Sequence, residues 1–310
     1  MLERLRIGWR HLIGGNPLEV KNSVGHAGRS SFAAACAGSL VLASVLAMPA
    51  VAVAKDGAAP SRVVSTNVCT DQYAMLIAGE GQLLSVSHLA SDPHASVMVE
   101  AAKAYKINHG RAEEIFLMQP DLVLAGTYTA RATVELLRRL GFRVELFEPV
   151  KDFSDVREQM VRIGKLLGRE ERAAELVAHL DTGLAAADGV ASGKTAVAWS
   201  ANSYAAGTGT FTDAAMQAAG LTNPLAEQGI RGGGRVPLEV LLTVKPDLVI
   251  TGATPYDAPA RAQDNLRHPA FHDAFGVERQ VGIPDAYWTC GTPFTLEAIR
   301  ILRDAAGATQ

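Results

Sequence analysis

Cysteine is scarce in this chain, three in 310 residues, and no two are spaced Cys-x-x-Cys, so neither a zinc ribbon nor a redox dithiol is encoded. The common catalytic signatures are missing too. There is no Gly-x-Ser-x-Gly, no His-Glu-x-x-His, no Walker loop, and no Gly-x-Gly-x-x-Gly after the first strand pattern. Gly207-Thr208-Gly209 and Gly232-Gly233-Gly234 lack the strand and helix context of a phosphate loop. Beyond residue 54 no basic run occurs, and 24 Lys and Arg face 30 Asp and Glu, a net charge near −6. A chain so charged has no electrostatic footprint for phosphate, which argues against nucleic acid as a partner.

What is present is ordinary globular composition, 48% hydrophobic and 20% charged, at a length that suggests two domains. The first 54 residues differ from the rest. Arg4, Arg6, Arg10, Lys21 and Arg29 precede an apolar run from Phe32 to Ala54 that closes on Ala52-Val53-Ala54. This is the pattern of a cleaved signal peptide, favoured over a membrane anchor by Pro49 and the small-x-small ending. Cys36 sits at the wrong end of that run for lipid attachment, so a soluble exported product with two cysteines, Cys69 and Cys290, is expected.

The chain also repeats itself once. Residues 113–126 read Glu-Glu-Ile-Phe-Leu-Met-Gln-Pro-Asp-Leu-Val-Leu-Ala-Gly, and residues 239–252 read Glu-Val-Leu-Leu-Thr-Val-Lys-Pro-Asp-Leu-Val-Ile-Thr-Gly, offset by 126 throughout. In each copy a short helix is stopped by proline, whose preceding residue is expected to be extended, and a buried strand follows. A single long-period repeat predicts two similar α/β lobes with mainly parallel sheets, because strand and helix patterns alternate through both. The expected division is a leader over 1–54, a first lobe over 55–167, a connecting helix over 168–190 and a second lobe over 191–310. That helix would be about 30 Å long, enough to run from lobe to lobe. The first helix is expected to be capped by Thr70 or Asp71 and the last to open at Thr292-Pro293.

In open α/β sheets ligands bind beyond the carboxyl ends of the strands. The residues expected there are Cys69, His88, Asp92, His94, His109 and Tyr128 from the first lobe. Asn202, Tyr204, Tyr256, Trp288 and Cys290 come from the second, with Arg235 on an adjoining loop. Rings with few charges suit a large, partly planar ligand lying in a cleft between the lobes. His88, His94 and His109 lack His-x-x-x-His spacing, and each is as readily a loop hydrogen-bonding group as a metal ligand. Cys69 and Cys290 could contact ligand, stay free or join the lobes as a disulfide, and Cys69 could serve an exported enzyme as nucleophile. A receptor for free zinc or manganese is a further alternative. Glu113 and Glu239, at matching places in the repeat, fit a two-point surface for a pseudo-symmetric partner.

These features together resemble the periplasmic metal-chelate binding proteins of ABC importers, the helical-backbone group that includes vitamin B12, ferric siderophore and haem receptors. The resemblance runs from Arg62-Val63-Val64-Ser65 through both Glu-x6-Pro-Asp-Leu-Val copies and Gly168-Arg169-Glu170-Glu171-Arg172-Ala173 to the last helix. It implies two lobes joined by one long helix, a ligand between them, and Glu113 and Glu239 docking onto arginines of a dimeric permease. It also implies a periplasmic monomer that is not an enzyme and holds no prosthetic group, its cargo being an iron or cobalt chelate. Asp92 stands before Pro93 where haem receptors of the group commonly carry an iron-binding tyrosine. His109 and Thr127-Tyr128 stand where the B12 receptor carries tryptophans. A ferric siderophore is therefore the first expectation and a corrinoid or haem the second, with Arg235, Arg131 and Arg231 as the cations an anionic chelate would need.

Overall fold

The computed structural model describes residues 59–187, 192–252 and 260–308. The expected leader lies outside them, as does Tyr256.

Five short runs rich in Val, Ile and Leu build the first sheet: β1 (Val63–Ser65), β2 (Leu83–Ser87), β3 (Lys106–Asn108), β4 (Leu122–Gly126) and β5 (Val144–Phe147). All pair in parallel, in the order β3-β2-β1-β4-β5. Parallel strands need crossovers, supplied by α1 (Val68–Ile77), α2 (Val99–Ala102), α3 (Ala112–Met118) and α4 (Arg131–Arg139). Ala112, Ile115 and Met118 of α3 pack with Val134 and Leu137 of α4 against Val64, Val123 and Val144 of the sheet. Each such side chain contributes about 1.5–3 kcal/mol on burial, so the apolar strands hold the lobe together.

Two helices then leave the lobe, α5 (Phe153–Leu167) and α6 (Glu170–Ala187). Asp152 caps α5 by accepting from the N–H groups of Ser154 (2.8 Å) and Asp155 (3.0 Å). Gly168 ends it in the left-handed region, φ 64°. Beside this turn the two helices touch at Gly164, where a Cβ would come 2.4 Å from that of Ala173. On its other side α5 packs against α1.

The second lobe has β6 (Ala196–Ala198), a ribbon of β7 (Tyr204–Ala206) with β8 (Gly233–Arg235), then β9 (Leu248–Gly252) and β10 (Gln280–Ile283). The main sheet is parallel in the order β10-β9-β6, and the ribbon is antiparallel. Its helices are α7 (Phe211–Ala218), α8 (Leu238–Val244), α9 (Pro269–Ala274) and α10 (Thr295–Ala308), the last packed on both α6 and α7. Trp199 is the centre of this core: its indole stacks on Phe271 at 5.2 Å and donates to the Val236 carbonyl at 2.8 Å. That bond satisfies the one polar atom a buried tryptophan carries.

The internal repeat is visible at atomic detail. Helices α3 and α8 each run seven residues, and each ends on a left-handed residue before proline, Gln119 (φ 45°) and Lys245 (φ 49°). These positions were expected to be extended. The left-handed turn instead lets Gln119 N–H donate to Phe116 and Lys245 N–H to Leu241, closing the last helical turn before the chain swings into a strand. The following aspartates explain Pro-Asp. Asp121 accepts from Ser61 N–H (2.8 Å) and Arg62 N–H (3.0 Å), and Asp247 accepts from Thr195 N–H (2.7 Å). Each carboxylate thus pins the start of the neighbouring strand, β1 or β6, satisfying N–H groups outside the ladder. Arginines brace the same corners: Arg62 donates to the carbonyls of Met118 and Gln119, and Arg279 to those of Pro246 and Asp247.

Three local expectations are corrected. Helix α1 is capped by Asn67, whose Oδ1 accepts from Cys69 N–H (3.0 Å) and Thr70 N–H (3.4 Å), while Asp71 turns inward to Ser87. Thr292-Pro293 forms a turn ahead of α10, with Thr295 N–H donating to the Thr292 carbonyl at 2.9 Å. Gly233-Gly234-Arg235 is strand rather than loop. Glycine is needed at 207 because the backbone carbonyls of Ile230 and Gly232 crowd the space a Cβ would take, while at 233 the Tyr204 hydroxyl occupies that space.

Candidate functional site: the edge where the lobes meet

The segments that follow the carboxyl ends of β1 and β10 are joined covalently, and that junction defines the candidate site. Asn67 follows β1 and starts α1, placing Cys69 in its first turn. Beyond β10 the chain runs through a short 3-10 turn, Asp285–Tyr287, to Cys290. The two cysteines are joined as a disulfide with Cα atoms 4.8 Å apart. Neither sulfur is therefore a thiol, which removes the nucleophile from the enzyme alternative.

Around this junction the other expected residues are distributed unequally. His88 and His109 directly follow β2 and β3, and their exposed rings stack, centroids 5.4 Å apart and planes within 19°. His109 N–H donates to Glu114 Oε2 at 2.7 Å and its Nδ1 lies 3.4 Å from Oε1. The backbone hydrogen bond is the main cause that holds the Glu114 carboxyl below its ordinary range. Asp92 Oδ1 accepts from His94 N–H at 2.9 Å, so this carboxylate shapes the loop after β2. His94 in turn faces Asp285 of the other lobe. Burial raises the Asp285 pKa, opposed by a hydrogen bond from the Trp288 side chain and by His94.

Of the aromatic residues, Tyr128 is 87% exposed on the loop after β4, and Tyr204 is half exposed on β7, its hydroxyl over Gly233. Trp288 is only 9% exposed, its ring committed to packing and to Asp285. Arg235 is exposed beside Tyr204, its cross-strand partner, and makes no ion pair with any described residue. It shares a cavity of about 350 Å³ with Ser203, Glu239, Asn265 and His268. Arg131 is bound to Glu135 at 2.8 Å. Asn202 and Ser203 both adopt positive φ (57° and 58°), a strained pair at the turn into β7. Among the described residues no group of three or more His, Cys, Asp and Glu is arranged to hold a metal ion.

Glu113 and Glu239 lie in the first turns of α3 and α8, Glu239 lining the same cavity as Arg235. Both carboxylates are exposed, and no ion pair joins either to a described residue.

Sequence reasoning missed two residues at the junction. Tyr73 is fully buried, with its hydroxyl 2.8 Å from the Gly291 carbonyl and 3.2 Å from that of Cys290; burial also pushes its pKa up. Asp71 is buried two residues earlier and accepts from Ser87 N–H at 3.1 Å. Both sit inside an apolar helix pattern, where a single tyrosine or acid carries no local signal.

The architecture is thus two α/β lobes with parallel sheets, tied together beyond β1 and β10. The chain belongs to the periplasmic binding protein family, whose model matches residues 63–274. It is 29% identical over 211 residues to the cobalamin-binding protein of Halobacterium salinarum, covering 66% of this chain and 57% of that one. The chain thus spans little more than half the length of the curated relative it matches. The fold is similar to that of the haem-binding protein RhuT from Roseiflexus sp. RS-1: TM-score 0.65 at 20% identity, covering 79% of this chain and 99% of that one. It is also similar to an ABC-type Fe3+-hydroxamate transport protein from Saccharomonospora viridis: TM-score 0.62 at 21% identity, covering 80% and 94%.

Proposed function

We propose that this protein captures a metal chelate between its lobes in the periplasm and delivers it to the permease of an ABC importer, without catalysis. The observation that carries the reading is a pair of α/β lobes with parallel sheets, joined beyond β1 and β10 by the Cys69–Cys290 disulfide, in a chain of the periplasmic binding protein family. Stacked His88 and His109, exposed Tyr128 and Tyr204, and Arg235 are the side chains with surface to offer such a ligand. Rings supply contact area at low entropic cost, and one free cation suits a partly anionic edge. Glu113 and Glu239 are the docking points, one on each lobe.

A corrinoid is the first candidate, supported by the match to a cobalamin-binding protein over two thirds of this chain. A ferric siderophore, the first expectation from sequence, is the second reading, supported by the likeness to a hydroxamate transport protein. Titrating the mature protein calorimetrically with cobalamin, a ferric hydroxamate and haemin should give tight, saturable 1:1 binding of one class. Absence of binding to all three, or turnover of any of them, would overturn the proposal.

A further inference from the structure

The segment following β10 is fastened to the first lobe at two points. The disulfide ties Cys290 to Cys69, across 221 residues of sequence. The buried Tyr73 hydroxyl binds the next carbonyl, Gly291, at 2.8 Å. Gly291 is itself locked in place: its φ is 57°, and a Cβ there would come 2.5 Å from Val150 and 2.8 Å from Val156. Only the disulfide is covalent. Hydrogen bonds can break and re-form as lobes part, whereas an S–S bond keeps its two Cα atoms together through any motion. Because Cys69 follows β1 and Cys290 follows β10, separation of the lobes at this point is restricted to rotation about the bond.

We infer that the Cys69–Cys290 disulfide limits how far the lobes open and thereby sets how fast the chelate exchanges. Reduction by a dithiol releases the restraint: two electrons and two protons convert the S–S bond into two thiols while the dithiol becomes its own disulfide. The exchange half of this inference rests on the chelate-receptor reading; the restraint on opening does not.

The test compares three forms of the mature protein: oxidised, reduced with dithiothreitol, and reduced then bridged by a single methylene between the sulfurs. Backbone hydrogen–deuterium exchange of residues 68–73 and 286–294 should accelerate about tenfold or more in the reduced form and stay near the oxidised rate in the bridged one. Dissociation of bound cobalamin, or of a ferric hydroxamate if that is what binds, should accelerate in parallel. Tyr73→Phe in the oxidised protein should accelerate either rate less than reduction does, since it leaves the covalent tether intact. Unchanged exchange on reduction, or a bridged form as fast as the reduced one, would overturn the restraint. Acceleration equal over the whole chain, with no excess at residues 68–73 and 286–294, would mean that the bond holds the fold rather than the gap, and would overturn it equally. Faster amide exchange with unaltered ligand dissociation would sink the link to exchange. Local acceleration in a protein that binds none of the three chelates would leave the restraint standing and remove the receptor reading.

Discussion

Asp71 makes this protein's stability depend on pH in an unusual direction. Its carboxyl is fully buried in the first turn of α1. Loss of hydration pushes its pKa from 3.8 to about 6, against the opposing pull of hydrogen bonds from Ser65 and Ser87. A folded-state pKa above the unfolded one means the native state holds its proton more tightly. The resulting stabilisation is fully present below pH 3.8 and is lost as pH rises through 6. A shift of this size corresponds to about 3 kcal/mol, of which about 1 kcal/mol is gained between pH 7 and pH 5. Urea unfolding of the oxidised protein at pH 7, 6 and 5 should show that gain relative to Asp71→Asn, which cannot titrate. The amide will shift the whole curve by a constant amount, because Ser87 N–H keeps an oxygen to donate to; the difference in slope is the measurement. Parallel curves for the two proteins would refute the assignment of a protonatable buried acid at the lobe junction.

Other outcomes follow from the same geometry. Replacing Cys69 and Cys290 with alanine frees a loop closed across 221 residues, which in the chain-entropy model lowers stability by up to about 5 kcal/mol, measured by denaturant unfolding; a loss under about 1 kcal/mol would show that the denatured chain is already compact. Charge reversal at both Glu113 and Glu239 should abolish uptake in a strain carrying the transporter while leaving chelate affinity unchanged by calorimetry, and a fall in affinity would contradict their placement at the docking surface. Asp121→Ala and Asp247→Ala should each cost about 1–3 kcal/mol and add when combined, since they pin strands of separate sheets. Backbone hydrogen bonding from Thr195 holds the Asp247 pKa below its ordinary value, so its share is present at neutral pH and is lost as pH falls through the folded pKa, a loss the Asp247→Ala protein should not show.

The lobes were legible because their evidence is local and written twice. Glu-x6-Pro-Asp-Leu-Val encodes a helix, a stop and a buried strand within one span of fourteen residues, and the two copies fold to equal-length helices and equal-length strands. The braces at those corners were not legible, because they come from outside the repeat and from different directions. Arg62 lies just before β1, whereas Arg279 lies just before β10, so the two lobes reach the same capped carbonyls from residues that share no offset. At the site, residue types at strand ends could be collected from the sequence, but their committed partners could not. His109 answers to Glu114 five residues away, which local spacing almost reveals; Trp288 is covered by tertiary packing, and Tyr73 finds its acceptors 217 and 218 residues along the chain. The disulfide belongs to the same class. Two cysteines in an exported chain leave the choice between thiols and a bridge to geometry, and only the approach of β1 and β10 brings their Cα atoms within bonding reach. What the sequence could not convey is thus concentrated at the junction of the lobes, where contacts of the longest separation meet, and the same concentration gives that junction its leverage over opening.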